Sequence, residues 1–196
     1  MTPRKWGLIR HGALLLFAAF IFGLLGVALV RGLRPDPPQE RAAIRAGLEL
    51  VMVFLGTSTC GASRTPGLEE ALDGIRTALR QEALERGISF VSLGVSADWV
   101  IADGLAFLDR FGPFDEIFVG RKNLNTGMLK FLWQDLPGPP IYPQVLVLER
   151  QVMLDPSYGV SGERARVRKA GASSIIAWSR MLQANSRAND GPDEPL

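Results

Sequence analysis

The sequence predicts an α/β fold, a mixed sheet flanked by helices, preceded by one N-terminal transmembrane helix. Short apolar runs alternate with stretches of helical periodicity between about residues 43 and 185, a pattern typical of a sheet covered on both faces. Two apolar runs late in the chain lie close together and predict an antiparallel pair, which makes the sheet mixed. A long charge-free run near the start predicts the membrane segment.

The first three elements of the domain are predicted as strand, helix and strand. Leu48–Leu55 is a nearly continuous apolar run that ends at Gly56, as expected for a buried parallel strand. Pro66–Arg86 carries apolar residues at helical spacing, and Gly87 provides a stop signal. Ile88–Val95 is the second predicted strand.

The later elements follow the same alternation. Trp99–Phe111 is predicted as a helix, with an inward face formed by Ile101, Leu105 and Leu108. The others are a strand at Glu116–Val119, a helix at Thr126–Leu136, strands at Gln144–Leu148 and Gln151–Leu154 around a turn at Glu149-Arg150, and a final helix at Glu163–Ala184. The predicted order is therefore β-α-β-α-β-α-β-β-α.

The N-terminal run, Ala13–Val30, has eighteen residues without a charged or polar side chain. As a helix it would span about 27 Å, close to the thickness of a bilayer's hydrocarbon core. Basic residues without acidic ones precede it, which favours a signal anchor at 13–31 with a cytoplasmic N-terminus at 1–12. A cleaved signal peptide is the alternative, but Val27-Ala28-Leu29 is a poor cleavage site.

Two further segments flank the predicted domain at 43–185. Residues 32–42 contain Arg34-Pro35-Asp36-Pro37-Pro38 and are predicted as a stiff Pro-rich linker. Residues 186–196 are polar and are predicted as a disordered tail.

Arg outnumbers Lys throughout the chain, a bias that we interpret as bacterial. The predicted location is the bacterial inner membrane, single-pass, with the soluble domain in the periplasm.

Composition excludes several kinds of site. The 196 residues include one Cys and one His, which excludes an internal disulfide and a multi-Cys or His-rich metal centre. A net charge of +2 spread over both signs gives no indication of nucleic-acid binding. We therefore predict no metal, no cofactor and no nucleic-acid partner.

The single Cys, Cys60, follows the first predicted strand and precedes a helix. A helix N-terminus favours a thiolate, Arg64 adds a nearby cation, and hydroxyl groups at Thr57 and Ser63 can donate to the sulfur. A helix that begins at Gly61 keeps the dipole near the sulfur. A start at Pro66 loses it, and we favour the first arrangement. An inert, partly buried thiol is the simpler alternative.

Two segments of the chain resemble the thioredoxin-like fold family. Cys60-Gly61-Ala62-Ser63 resembles the Cys-x-x-Cys motif, with Ser in place of the second Cys. The segment Ile141–Leu148 resembles the family's cis-proline segment, in which Pro opens the strand that faces the active Cys. With the order of elements, the resemblance covers about 140 residues.

The resemblance implies a role for each matching residue. Cys60 takes the nucleophile position, Ser63 the resolving position and Pro143 the cis-proline position, while the backbone of Tyr142 pairs with an extended substrate. Thiol–disulfide exchange would stop at the mixed disulfide, because a second thiol is missing. The implied function is that of a membrane-anchored protein. It would carry out thiol–disulfide exchange with client proteins or a redox partner protein, or capture client proteins as mixed disulfides.

Two alternatives remain from the sequence, so an enzymatic activity is left open. The first is a non-catalytic binding or assembly module that keeps the fold without redox chemistry. The second is a one-Cys peroxidase, because Thr57-x-x-Cys60 also resembles the Thr-x-x-Cys of peroxiredoxins. In that family a remote Arg completes the site, a position that Arg121 or Arg150 could take.

Overall fold

The computed structural model describes residues 45–156 and 158–189. The predicted N-terminus at 1–12, transmembrane anchor at 13–31 and linker at 32–42 lie outside the described residues, as does 190–196 of the predicted tail. Within the described ranges, no helix is long and apolar enough to span a bilayer.

Five strands form one mixed sheet in the order β3-β2-β1-β4-β5. The elements are β1 (Gly47–Gly56), α1 (Leu68–Glu85), β2 (Ser89–Ser96), α2 (Ile101–Asp109), β3 (Glu116–Phe118), α3 (Thr126–Met128, continued by a π-helical segment at Leu129–Trp133), β4 (Gln144–Met153), β5 (Gly159–Ala170) and α4 (Ala172–Asn189). β1, β2 and β3 run parallel, and β4 pairs antiparallel with both β1 and β5. The predicted α/β class is confirmed. The order of element types also matches the prediction, but the two strands predicted between 144 and 154 are one strand, β4, and most of β5 lies in the predicted final helix.

Strand β1 is apolar on both faces because each face is covered by helices. Leu50, Met52 and Phe54 belong to one buried cluster with side chains of α1, α2 and α4. Val51, Val53 and the next odd-numbered residue, Leu55, belong to a second cluster with side chains of α3. Full burial of each large side chain contributes about 1.5–3 kcal/mol. The central strand is therefore the rigid support on which the next loop is built.

The predicted turn at Glu149-Arg150 is wrong, because β4 continues through it. The Arg150 Nε donates to Glu49 Oε2 at 2.7 Å, and both side chains are nearly buried. The Glu149 Oε1 lies 2.6 Å from the Arg86 Nη2. Two adjacent charged residues in a sequence are typical of an exposed turn. Here, each of the two side chains forms an ion pair with a residue of opposite charge on a neighbouring element. The strand consequently extends to Met153 before the chain reverses.

The predicted helix at Glu163–Ala184 is wrong over its first part. Residues up to Ala170 form β5, and α4 begins only after Gly171, whose φ of +83° suits a residue without a side chain. Ala, Arg and Lys favour helices, but pairing with β4 overrides that local preference. Helix α4 reaches Asn189 and so extends into the segment predicted as a tail.

Helix α2 faces the core with a different stripe from the predicted one. Leu108 is buried as predicted, but Ile101 and Leu105 are exposed. Gly104 faces the sheet, where an added Cβ would lie within 3.2 Å of Val119. This close approach, together with the burial of Phe107, turns the helix so that Ile101 and Leu105 point to solvent.

Candidate functional site

The loop that carries Cys60 leaves the carboxyl end of β1. Gly56 pairs with Ser96 at the carboxyl end of β2, and Leu55 pairs with Gln144 at the start of β4. Three segments that are far apart in sequence therefore meet at one edge of the sheet. The Cys60 backbone N–H donates to the Thr57 carbonyl at 3.3 Å, which closes the loop into a turn.

The sulfur of Cys60 lies against the proline loop. The Cys60 thiol donates to the Tyr142 carbonyl, with 3.6 Å between Sγ and oxygen. The Tyr142–Pro143 peptide bond is cis, as the resemblance implies. Cys60 is partly buried and free. The structure thus places a partly buried cysteine beside a backbone segment that precedes a strand.

The ring of Tyr142 anchors this loop to a neighbouring segment. Its hydroxyl donates to the Asn123 Oδ1 at 2.9 Å. Burial raises the pKa of Tyr142 above its ordinary value, so the phenol stays neutral and keeps its donor proton. The position of the Tyr142 backbone is therefore fixed by its own side chain.

A polar clamp holds the residues before Pro143. The Arg168 guanidinium donates to the Gln144 Oε1 at 2.9 Å and to the Leu136 carbonyl at 2.7 Å. The Gln144 Nε2 in turn donates to the Ile141 carbonyl at 2.6 Å. Burial lowers the pKa of Arg168. Sequence reasoning missed Arg168 because it placed this residue on a helix and not on β5.

Ser63 occupies the position predicted for a resolving thiol. Its backbone N–H donates to the Cys60 carbonyl at 3.1 Å, and its side chain is buried. The Ser63 Oγ has no hydrogen-bond partner among the described residues. A hydroxyl group cannot close a disulfide, so this turn presents a single reactive atom, the Cys60 sulfur.

The prediction that the helix starts at Gly61 is wrong. Gly61–Arg64 form one 3₁₀ turn, and α1 begins at Leu68 after Gly67, whose φ is +82°. Cys60 therefore does not lie at the N-terminus of α1, and the dipole of that helix does not act on the sulfur at close range. The exposed Arg64 donates to the Ser58 carbonyl at 3.0 Å and so braces the loop.

Asp98 is the residue at this edge that sequence reasoning missed. It follows β2 and is buried, and its Oδ1 accepts from the Thr57 hydroxyl at 2.9 Å and from the Ser58 hydroxyl at 2.7 Å. Its Oδ2 accepts from the Ser58 backbone N–H at 3.1 Å and from the Ser96 hydroxyl at 2.5 Å. Its carboxylate therefore ties the Cys60 loop to β2. The available signal was an acidic residue just past a strand that runs parallel to β1.

The same bonds set the charge of Asp98. Burial acts to raise the pKa of its carboxyl, but the donors on Ser96, Ser58 and Thr57 outweigh burial and hold the pKa below the ordinary 3.8. The ionised form is the one that accepts four hydrogen bonds. Asp98 is thus a buried anion at neutral pH.

We expect Asp98 to make the fold sensitive to acid. Its lowered pKa means that the carboxylate stabilises the fold fully above the ordinary value, and this contribution is lost as the pH falls through the lowered value. Urea unfolding at about pH 6 and about pH 2.5 measures the effect. The free energy of unfolding of the wild type should fall more than that of Asp98→Asn. Equal losses would contradict this assignment.

The arrangement does not favour the peroxidase alternative. The Thr57 hydroxyl donates to Asp98 and not toward the sulfur, so it is not available to hold a peroxide. Arg150 pairs with Glu49 near the start of β1, at the opposite end of the strand from Cys60. Arg121 lies in an exposed turn with a φ of 56°, and no ion pair is recorded for it within the described ranges.

No metal site emerges in the part of the chain that the structure describes. Groups of three or more His, Cys, Asp or Glu side chains that could hold an ion are absent from it. The chemistry available at the edge is that of one thiol, one backbone carbonyl and a buried carboxylate.

The strand order, the cis proline and the cysteine after the central strand fit the thioredoxin-like fold, and the sequence holds one thiol. No protein-family model and no curated protein matches the sequence. Among solved structures, the chain is similar to a thiol:disulfide interchange protein of the thioredoxin family from Chlorobium tepidum. That likeness has a TM-score of 0.33 and 12% identity, and covers 68% of this chain and 79% of the other.

Proposed function

We propose that this protein is a membrane-anchored thioredoxin-like protein that uses Cys60 for thiol–disulfide exchange with client proteins or to capture them as mixed disulfides. The observation that carries the proposal is the 3.6 Å contact between the Cys60 Sγ and the Tyr142 carbonyl oxygen, next to a cis proline. An extended client segment that pairs with this backbone would bring its own sulfur to Cys60. The proposed location is the periplasmic face of a bacterial inner membrane.

The chemistry has two steps. The Cys60 thiolate attacks one sulfur of a client disulfide, a new S–S bond joins Cys60 to the client, and the other client sulfur leaves as a thiolate. Because the chain holds one Cys, no internal thiol can attack the new bond. An external thiol then attacks the client sulfur of this bond, which joins the client to the external thiol and releases Cys60 as a thiolate. The mixed disulfide is thus the species that accumulates.

This proposal is tested with the full-length chain and a peptide whose Cys is joined to a chromogenic thiol. We expect release of about one equivalent of chromophore per chain and a mass increase equal to the peptide, which persists until glutathione is added. The benchmark is the rate for free cysteine at the same pH. A rate no faster than this benchmark, or an adduct that decays without added thiol, would contradict the proposal.

A binding module without thiol chemistry is the second candidate. The observation that favours it is exposed apolar surface at the same edge of the sheet. Trp99 is 66% exposed just after Asp98, and Ile141 is 50% exposed just before Tyr142. Tryptophan in particular is enriched in protein interfaces. Such a module would bind a client through this surface whether or not Cys60 is present.

A further inference from the structure

Both sides of the sulfur–carbonyl contact are tied to one short segment, Ser96–Asp98. On the cysteine side, the Asp98 carboxylate accepts from Thr57 and Ser58, which form the covalent path from β1 to Cys60. On the segment itself, the Asp98 backbone N–H donates to the Ser96 Oγ at 3.2 Å, so the carboxylate is fixed to the end of β2.

The proline side reaches the same segment through the loop at 120–125. The Lys122 backbone N–H donates to the Asp98 carbonyl at 3.2 Å. The Asn125 Nδ2 donates to the Ser96 carbonyl at 2.8 Å, and Asn123 accepts from the Tyr142 hydroxyl. A change in the Asp98 side chain therefore alters the support of the thiol, while the backbone carbonyls of Asp98 and Ser96 still hold the loop that supports the Tyr142 carbonyl.

We propose that Asp98 is a positioning residue that fixes the Cys60 sulfur against the Tyr142 carbonyl for reaction with an extended client. This inference rests on the proposed function. Asp98 makes no recorded contact with the sulfur and acts through the turn at Thr57–Thr59. Its effect is therefore on where the thiol points relative to a bound peptide.

The four donors around Asp98 suit a carboxylate. An Asn at this position offers one acceptor oxygen and one donor NH₂ group. An NH₂ group that faces Thr57 and Ser58 would make both hydroxyls turn from donors into acceptors, and the remaining bonds would lose the charge that strengthens them. Asp98→Asn thus weakens the anchor while it keeps the size of the side chain.

The chain offers a matched control in Asp115. Its Oδ2 accepts from the Ser92 backbone N–H at 2.7 Å and from the Ser92 hydroxyl at 2.8 Å. Asp115 therefore bonds, like Asp98, to a backbone amide and a serine hydroxyl. It lies before β3, away from the carboxyl ends of β1 and β2.

The experiment measures two rate constants in the full-length protein, one for the peptide disulfide and one for iodoacetamide, across a range of pH. We expect Asp98→Asn to slow the peptide reaction at least about tenfold, because a small misplacement of a reacting atom is costly. Iodoacetamide needs no alignment with Tyr142, so its rate at high pH should stay within about twofold of wild type. Asp115→Asn should leave both rates unchanged.

Each other outcome is also decisive. A peptide rate for Asp98→Asn within about twofold of wild type, or equal losses with both reagents, would overturn the positioning role. If Asp98→Asn does not fold, the same two rates are measured for Ser58→Ala, which removes one hydroxyl donor to the Asp98 carboxylate. A selective loss in the peptide rate supports the proposal, and unchanged rates overturn it. A wild type that does not react with the peptide disulfide at all overturns the proposed function itself.

Discussion

Replacing Cys60 by alanine is expected to abolish covalent capture of a peptide disulfide completely. The chain has one Cys, so no other side chain can form the mixed disulfide. The loop should survive, because its anchors on Asp98 do not involve the sulfur. The measurement is the mass of the full-length variant after reaction, alongside its affinity for the same peptide with Ser in place of Cys.

Ser63→Ala serves as the control for this change. Its hydroxyl is buried without a partner among the described residues, so its removal should leave the free energy of unfolding unchanged or raise it by about 1 kcal/mol. Capture by Ser63→Ala should match the wild type. If cells that carry Cys60→Ala behave like cells with the wild-type protein, the binding-module hypothesis is correct, and the hypothesis of thiol chemistry at Cys60 is wrong.

Replacing Ser63 by cysteine is expected to convert a long-lived mixed disulfide into a short-lived one. The Ser63 N–H bonds to the Cys60 carbonyl at 3.1 Å, so the two side chains lie on one turn, within the span that a disulfide bridges. The new thiol would attack the Cys60 sulfur, form an internal disulfide and release the client as a thiol. The measurement is the decay of the peptide adduct without added thiol.

The control for Ser63→Cys is a second thiol placed where it cannot reach the first. Ser161 is exposed on β5 and pairs with Gln151, toward the end of the sheet away from Cys60. The adduct on Cys60 in Ser161→Cys should persist as in the wild type. Fast decay in both variants would indicate exchange between molecules, and no acceleration in Ser63→Cys would contradict the assigned resolving position.

The elements that the sequence predicted well are those whose apolar pattern decides their structure. β1 and β2 are largely apolar runs with glycine nearby, and the observed bounds of both lie within about two residues of prediction. β5 was missed because its Arg, Lys and Glu residues favour helices, while its strand pairing depends on β4. The helix or strand preference of a segment's own residues does not reveal which strand it pairs with.

The candidate site divides in the same way. Cys60 and Pro143 were predictable because each belongs to a short motif, and the structure brings the two motifs together. Asp98 was not, because its donors on Thr57 and Ser58 lie 41 and 40 residues earlier in the chain and follow another strand. Its role depends on the register of β1 with β2, which pairs Gly56 with Ser96 and which no local pattern specifies.

The thiol lies beyond the carboxyl end of β1, at the opposite end of the strand from the residue at which the chain enters it. The described chain enters β1 at Gly47 and leaves it at Gly56, just before the thiol. Ten residues of strand span about 30 Å. The strand therefore sets the distance between its own first residue and the loop that carries the thiol. A change in the length of β1 would alter that distance and leave the chemistry of the sulfur unchanged.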